Sequence, residues 1–511
     1  MVGSVKPLNL ILVWPVRLQT ADTTQSLRDR ARTTLIKSGW SIVTDLVRRN
    51  AAPIDDGAAY AEFAYFHPYV QRFLYGDRES PIPQPFELLE FSRKNASTLN
   101  IQHSTWAEAL TIEQTCVYLI ESDIAILSIR LSSTASVDGE RVLDIISFLR
   151  TVYFPFYDTH GAVWSGGNAL NRVRIEPLQA TAPEDPADRS SELKDALHQL
   201  RPILFAHWVE LIRPLNDAGI EVRLLGDHRM ATMAFLGVEY PVQISDDEWF
   251  ALAQADDARF TKYAPAFRDR ELAAATYDRW WNKRAKLGEL KHRYLAGPMT
   301  YCCVLEWPAE NRPRYCERIL KTWTRQHFQI FFLAHFQRAK LLLLQDRIAK
   351  VTARIALESE RDWLREVEAL QREMAIFSSC YWFTEVSPQV QGQELYLLLK
   401  QQMGLDALYE GVIHDKALLG NWIEAREGRR REHWRDRIND VFLPLGLLLA
   451  FLGSNVIVDP VQRFIKYHFG LQYDGRRDLL VVMLFALPVL LWWAWNGWRR
   501  RRIERSGTRF P

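Results

Sequence analysis

The chain has 511 residues, and its 64 lysines and arginines nearly balance its 62 aspartates and glutamates. This length is enough to bury a sizeable core and predicts about two to four domains. Because the bulk charge is close to zero, the composition does not favour an acidic partner, and direct nucleic-acid binding is not expected. The five cysteines include no CxxC pair, so neither a disulfide framework nor a zinc site is expected, and reduced cytoplasmic thiols are predicted.

The first part of the chain, residues 1–240, mixes strand and helix signals and predicts an α/β or α+β cytoplasmic domain of the sensor type. The apolar run at residues 8–14 lacks the basic start and long apolar region of a signal peptide, so it predicts a first strand. The runs at residues 117–120 and 124–131 flank a short polar turn, which predicts a hairpin.

Residues 241–385 carry apolar side chains mainly at three- and four-residue spacing and are predicted to form a helical cytoplasmic region. The apolar runs at residues 330–333 and 341–344 are interrupted by polar residues and fall short of the roughly 18 residues that span a bilayer. They are therefore predicted to lie in a protein core. A stalk helix is predicted over residues 386–440, because Ser387 is a natural N-cap and the following proline suits a first helical turn.

Two uncharged apolar runs follow, at residues 441–458 and 479–498, and each is near the length that crosses a bilayer core. They predict two transmembrane helices, with a pair of buried core helices as the alternative. Arginines crowd before the first run and after the second, so the positive-inside rule places both termini in the cytoplasm. Residues 459–478 are then an external loop and residues 499–511 a basic cytoplasmic tail. The sequence thus predicts a multi-pass protein of the cell inner membrane, in contact with membrane lipid.

The first apolar run contains two short motifs, Phe-Leu-Pro-Leu at residues 442–445 and Gly-Ser-Asn at residues 453–455. This pattern resembles the CorA-type two-transmembrane ion transporters, whose first span begins with a Phe-Leu-Pro-Leu-like element and ends in Gly-Met-Asn. Ser454 stands where the family has methionine. The resemblance is specific over about residues 389–502 and extends before that only to the order of the elements.

The resemblance implies a fold class: an α/β (α+β) N-terminal cytoplasmic domain, a long helical bundle and stalk, and two C-terminal transmembrane helices. Five copies would assemble into a CorA-like funnel. Gly453, Ser454 and Asn455 would form the selectivity filter at the pore mouth, where asparagine carbonyls accept hydrogen bonds from the water shell of a hard cation. The alternative is an ordinary helix C-terminus, because glycine and asparagine both suit such ends.

Counting back from the filter at helical spacing marks one face of the predicted helix, which the family resemblance places on the pore. The implied pore-lining and gate residues are Leu443, Gly446, Asn439, Arg435 and Glu432. For Leu443 and Asn439, ordinary side-chain packing is an equally good explanation. Candidate ligands for a regulatory metal near the stalk are Asp406, Glu410 and Asp415, with solvated surface charges as the alternative.

The leading hypothesis is a homopentameric membrane channel or transporter for divalent cations, gated by its cytoplasmic domain, with Mg²⁺ as the ion that the family implies. The part before residue 441 is larger than a simple funnel requires. The alternative is therefore a membrane effector of a signalling or CRISPR-type defence system, gated by a small-molecule or nucleotide messenger; a non-conducting scaffold is a third. No metalloprotease, serine-hydrolase or P-loop motif occurs, so an enzyme is not expected.

Overall fold

The structure is a computed structural model. It describes residues 3–21, 26–42, 57–76, 89–93, 97–102, 105–120, 123–153, 172–176, 204–226, 228–255, 263–281, 292–307, 313–354, 360–453, 463 and 466–468. The chain divides into two compact units, Met1–His414 and Asp415–Pro511. This boundary falls inside the predicted stalk, and the other predicted domain boundaries stay predictions.

A mixed sheet of thirteen strands forms the centre of the first unit. The strands are β1 Ser4–Gln19, β2 Ser41–Ile42, β3 Leu89–Arg93, β4 Ser97–Gln102, β5 Ala107–Leu119, β6 Ile124–Ser133, β7 Val137–Asp138, β8 Arg172–Glu176, β9 Glu221–Leu224, β10 Ala231–Val238, β11 Thr276–Tyr277, β12 His292–Ala296 and β13 Thr300–Glu306. The main path runs β11-β12-β13-β10-β1-β6-β5-β3-β2, while β4 joins β5 to β8 and β7 and β9 pair with β1. The β10·β13 pair is parallel, and the other pairings within the described strands are antiparallel.

Strand β1 lies in the middle of the sheet and contains the strand predicted at residues 8–14. Successive side chains of a strand point to opposite faces, and here Leu10 and Leu12 enter one core while Ile11 and Val13 are buried on the other side. A strand covered on both faces carries a nearly continuous apolar run. The strands of the predicted hairpin are β5 and β6, and they pair antiparallel.

The described residues also form twelve α-helices. They are α1 Leu27–Lys37, α2 Gly57–Ala64, α3 Pro68–Tyr75, α4 Gly139–Leu149, α5 Ala206–Asp217, α6 Asp246–Gln254, α7 Pro265–Ala275, α8 Pro313–Thr322, α9 Phe328–Ala353, α10 Glu360–Cys380, α11 Val390–Gln402 and α12 Leu405–Gly453. The two apolar runs predicted as core, residues 330–333 and 341–344, lie in α9 and are buried except for half-buried Leu342. Their burial inside the first unit accounts for their apolar character.

The region predicted to be helical, residues 241–385, also contributes β11, β12 and β13 to the sheet. Strands β12 and β13 are short and buried, so they lack the alternation that marks a half-exposed strand. The pairing of β13 with β10 joins all three strands to the sheet of the N-terminal part. The sheet therefore extends across the predicted boundary at residue 240.

The structure contradicts the predicted transmembrane architecture. Across the described ranges, no helix combines the length and the apolar character required to cross a bilayer. Helix α12 has 49 residues, but its charge-free end, from Val441 to Gly453, is shorter than the roughly 20 residues that a bilayer core requires. The predicted second span, residues 479–498, lies outside the described residues.

The fold class predicted above, a CorA-like funnel with two C-terminal transmembrane helices, is therefore replaced by a mixed α/β fold. The multi-pass inner-membrane localisation and the description as a membrane channel rested on the same two spans. Both of these predictions are therefore wrong for the same reason as the fold class.

Candidate ligand-binding site

The parallel strands β10 and β13 end side by side at one edge of the sheet. Val238 pairs with Glu306, and the backbone amide of Trp307 donates a hydrogen bond to the Val238 carbonyl at 2.9 Å. In sheets with parallel strands, ligands bind beyond the carboxyl ends of the strands. The residues that follow the two strands, Glu239 and Trp307, are therefore placed where a ligand site is expected.

The beginning of β1 closes the other side of this edge. The pairing of β1 with β10 shifts register between Val5 and Leu8. A Cβ atom on Gly237 would lie 2.5 Å from the Lys6 carbonyl oxygen, closer than side chains come in real proteins. Only glycine therefore permits the two strands to approach in this way, and the requirement is one of space.

A cavity of about 560 Å³ lies between these elements. This volume falls in the range of roughly 300–1,000 Å³ that is usual for small-molecule sites. Its walls include Val238, Ile244 and half-buried Trp307, and its polar side chains include Lys6 and Glu239. Apolar walls with a few polar groups are the usual composition of a ligand pocket.

The two charged residues of the cavity have opposite signs. Lys6 and Glu239 are both exposed, and neither has an ion-pair or side-chain hydrogen-bond partner among the described residues. The side chain of Gln243 lies at the same cavity and is also exposed. The described part of the site thus offers a cation, a carboxylate and an amide to a ligand.

Aromatic rings connect the cavity to the helices. The Phe235 ring stands edge-on to Trp307 at 6.5 Å and lies 5.6 Å from the Trp323 ring. Trp323 is fully buried and begins a five-residue π-helical turn, Trp323–His327, between α8 and α9. Such turns are rare and frequently occur at functional sites.

Buried histidines and tyrosines lie next to the π-helical turn. His327 Nδ1 is hydrogen-bonded to the Tyr301 hydroxyl at 3.0 Å, and the Tyr294 ring contacts His327 edge-on at 5.2 Å. Burial lowers the pKa of His292 to about 4, and burial together with nearby His292 lowers the pKa of His327 to about 3. Both imidazoles are therefore neutral at pH 7. Burial raises the pKa of Cys303 well above its usual value, so this thiol stays protonated and unreactive.

Helix α9 is tied to α11 by a buried hydrogen-bond network. The Tyr396 hydroxyl donates to Gln337 Oε1 and lies 2.8 Å from the Phe383 carbonyl, and Gln337 Nε2 donates to the Tyr381 carbonyl at 2.8 Å. At the end of α11, the Lys400 ammonium lies 2.7 Å from an Asp406 carboxylate oxygen in the first turn of α12. These contacts run without a break from α9 to the start of α12.

The predicted pore residues belong to α12 or to the chain beyond it. Gly453 is the last residue of the helix, and Ser454 and Asn455 lie outside the described residues. Leu443 and Asn439 lie within the helix. The remaining residues of the predicted pore face are all exposed: Glu432, Arg435 and Gly446.

The predicted regulatory metal ligands are not brought together by the described contacts. Asp406 forms the ion pair with Lys400, Glu410 is exposed and Asp415 is half-buried. In the part of the chain that the structure describes, no group of three or more His, Cys, Asp or Glu residues is arranged to hold a metal ion. Magnesium as transported or regulatory ion stays a prediction.

The residues of the cavity could not be identified as a group from the sequence. Lys6, Glu239 and Trp307 come from three separate segments, and none belongs to a motif. One local signal was available, because a glycine inside an apolar strand often marks a close backbone approach, as Gly237 does here.

Comparison with known proteins shows only weak structural likeness. No family model and no curated protein match this chain. Among solved structures, the "structure of the full-length CmaX protein" matches 55% of this chain and 94% of that chain, with 14% identity and a TM-score of 0.19. A TM-score this low does not show a common fold.

Proposed function

We propose that the chain is an effector protein of a signalling system, and that its first unit binds a small-molecule messenger in the cavity beyond β10 and β13. Binding then acts through α9 and α11 on the first turn of α12. The cavity carries this proposal, because it lies beyond the parallel strand pair and has the volume of a small-molecule site. The proposal retains the messenger-gated alternative of the sequence analysis without a membrane span.

A ligand in this cavity would contact Trp307, whose side chain is half-buried. A ligand shifts a conformational equilibrium only by binding the two states with different affinity. A different Trp307 position in the bound state would provide such a difference, because the ring packs on Phe235 and Phe235 packs on Trp323. Close-packed rings transmit a displacement, since the interior leaves little free volume.

Such coupling requires a structural element that can adopt two arrangements. We assign this role to the π-helical turn, which can exist as a π-helix or as an α-helix. A π-helical turn holds about one residue more than an α-helical turn, so conversion to α-helix shifts the following helix by roughly 1.5 Å. The helix that follows Trp323–His327 is α9. Through Gln337 and Tyr396, a shift of α9 reaches α11 and then the first turn of α12.

The proposal is tested on the full chain with a panel of nucleotides, cyclic nucleotides, amino acids and carboxylic acids. A ligand that binds only the folded state at about one hundred times its Kd stabilises the protein by roughly 2.7 kcal/mol, which thermal unfolding detects. We expect one compound class to stabilise the protein and Lys6→Gln or Glu239→Gln to reduce the effect. Absence of stabilisation by the whole panel, or stabilisation that both variants retain, contradicts the proposal.

Transmission is tested by backbone hydrogen exchange with the stabilising compound bound. We expect changed exchange in α9 and α11 as well as at the cavity. Phe235→Leu should retain binding but lose the change in the helices, because it breaks the ring contact with Trp323. Phe205→Leu is the matched control, since Phe205 is equally buried but stacks on Phe148 of α4. Equal behaviour of the two variants contradicts transmission through Phe235.

Self-association, which the sequence analysis predicted, is proposed to use α12. Trp434, Ile438 and Phe442 recur every fourth residue and are 62%, 42% and 64% exposed. Glu432 and Arg435 are exposed beside them and offer opposite charges to a second copy. Light scattering after size-exclusion chromatography should show an oligomer that Trp434→Ser with Phe442→Ser dissociates. An oligomer that survives both substitutions excludes this face.

A further inference from the structure

The charges of the cavity indicate what kind of molecule it binds, provided that it is the messenger site proposed above. Lys6 is the one cationic side chain among the described lining residues, and Glu239 is the one carboxylate. Both are exposed, and they form no ion pair with each other, so the charged atoms are more than hydrogen-bond distance apart. Both line the same cavity of about 560 Å³, so a ligand that fills the cavity can reach both.

From these features we propose that the cavity binds a zwitterionic α-amino acid with a large apolar or aromatic side chain. The ligand carboxylate pairs with the Lys6 ammonium, and the ligand ammonium pairs with the Glu239 carboxylate. Charge-assisted hydrogen bonds of this kind are about twice as strong as neutral ones. A ligand with both charges thus satisfies both residues at once.

The same two residues disfavour nucleotide messengers. A mononucleotide has about two negative charges at pH 7, and cationic side chains near its phosphate stabilise these charges. Lys6 supplies one, and the Glu239 carboxylate repels the remaining charge. An uncharged molecule would leave both side chains without a partner.

The apolar walls select the ligand side chain. Val238, Ile244 and the half-buried Trp307 ring form an apolar surface, and the Tyr240 ring lies at the same cavity. Aromatic rings pack on such walls through offset or edge contacts that add to simple burial. The volume of about 560 Å³ accommodates a large side chain in addition to the charged groups.

The inference is tested by calorimetric titration of the full chain with L-tryptophan, L-phenylalanine and L-leucine. Two analogues of tryptophan each lack one charge: indole-3-propionate has no ammonium, and tryptamine has no carboxylate. We expect an amino acid to bind and its single-charge analogue to bind roughly ten- to hundredfold more weakly, which is the effect of losing one charged hydrogen bond. AMP is the nucleotide probe and should not bind.

Substitutions assign each charge to its residue. In Glu239→Gln, the preference for tryptophan over indole-3-propionate should disappear, while the preference over tryptamine should remain. Lys6→Gln should show the reverse pattern. Lys37→Gln and Glu410→Gln are matched controls at exposed positions outside the cavity, and both should bind like the natural chain.

The outcomes separate this inference from the proposed function. If AMP binds and Lys6→Gln weakens it while the amino acids do not bind, the amino-acid inference is overturned and a messenger site remains. If the amino acids bind but both variants retain every preference, the assignment to Lys6 and Glu239 is overturned. If neither AMP nor any amino acid binds and the wider panel does not stabilise the chain, the inference and the proposed function are overturned together.

Discussion

The buried imidazoles beside the π-helical turn make the stability of the first unit sensitive to acid. Burial lowers the pKa of His292 to about 4 and of His327 to about 3, and burial followed by nearby Arg338 lowers the pKa of His335 to about 3. In the unfolded chain each imidazole returns to about 6.5. Below that pH the unfolded state therefore binds more protons than the folded state, and acid favours unfolding.

The structure also sets the size and the pH range of the effect. Because the folded pKa values lie below the unfolded value, the contribution to stability is complete above about pH 6.5 and is lost as the pH falls towards about 4 and then 3. Between about pH 6 and pH 5, each imidazole lowers the free energy of unfolding by about 1 kcal/mol per pH unit. Three of them give a slope of about 3 kcal/mol per pH unit, against a total stability of roughly 5–15 kcal/mol.

His292→Phe tests the contribution of one imidazole. The ring nitrogens of His292 have no hydrogen-bond partner within the described chain, and its ring packs on Tyr294 and Tyr315. A phenylalanine keeps the ring contacts and removes polar atoms that lack partners, so stability at pH 7 should be equal or higher. Urea unfolding between about pH 6 and pH 5 should then give a slope lower by about 1 kcal/mol per pH unit.

A substitution that removes no titrating group provides the control. Ile129→Val should lower the free energy of unfolding by the same amount at every pH, because it removes one methylene group from the apolar core and no titrating group. An unchanged slope in His292→Phe would refute the conclusion that this imidazole is buried in its neutral form. A changed slope in Ile129→Val would show that acid acts through packing and not through the histidines.

Three further substitutions have definite expected results in urea unfolding or ligand titration. Gly237→Ala should destabilise the protein by about 1–3 kcal/mol and weaken ligand binding, because the alanine Cβ would clash with the Lys6 carbonyl oxygen. A variant with unchanged stability and full binding would contradict the conclusion that the two strands approach too closely for a side chain. Lys340→Met should destabilise by about 1–3 kcal/mol, because it removes the fully buried ammonium that pairs with Glu373, while Arg347 still pairs with that carboxylate. Lys37→Met, at an exposed position, should be neutral, and no loss of stability in Lys340→Met would show that the buried ion pair is dispensable. Tyr396→Phe should cost about 1–3 kcal/mol by removing a buried hydroxyl that joins α9 to α11, and no loss of stability would show that this network is dispensable.

Some errors of the sequence analysis have a clear physical cause. The apolar residues at the end of α12 were predicted to begin a membrane span, but composition alone cannot distinguish the apolar end of a long helix from a span. Strands β12 and β13 were assigned to a helical region because a short buried run has no alternation to indicate its structure. In both cases the local sequence pattern was compatible with more than one structure. The length of the helix in the first case, and the long-range strand pairing in the second, determined which structure formed.

The sequence by itself determined what depends on neighbours along the chain. It located the central strand around residues 8–14, the hairpin of β5 and β6, and the interior position of the apolar runs in α9. Periodicity and turn residues act over a few positions, and each of these features is formed by residues that are close together in the sequence.

Tertiary structure alone decided the sheet order and the candidate site. The parallel pairing of β10 with β13 brings Glu239 next to Trp307, and the approach of β1 at Gly237 brings Lys6 to both. Contacts between distant segments depend on loop closure and on the fit of whole surfaces, for which single residues carry no local signal. The cavity, with its two residues of opposite charge, therefore exists only in the assembled sheet.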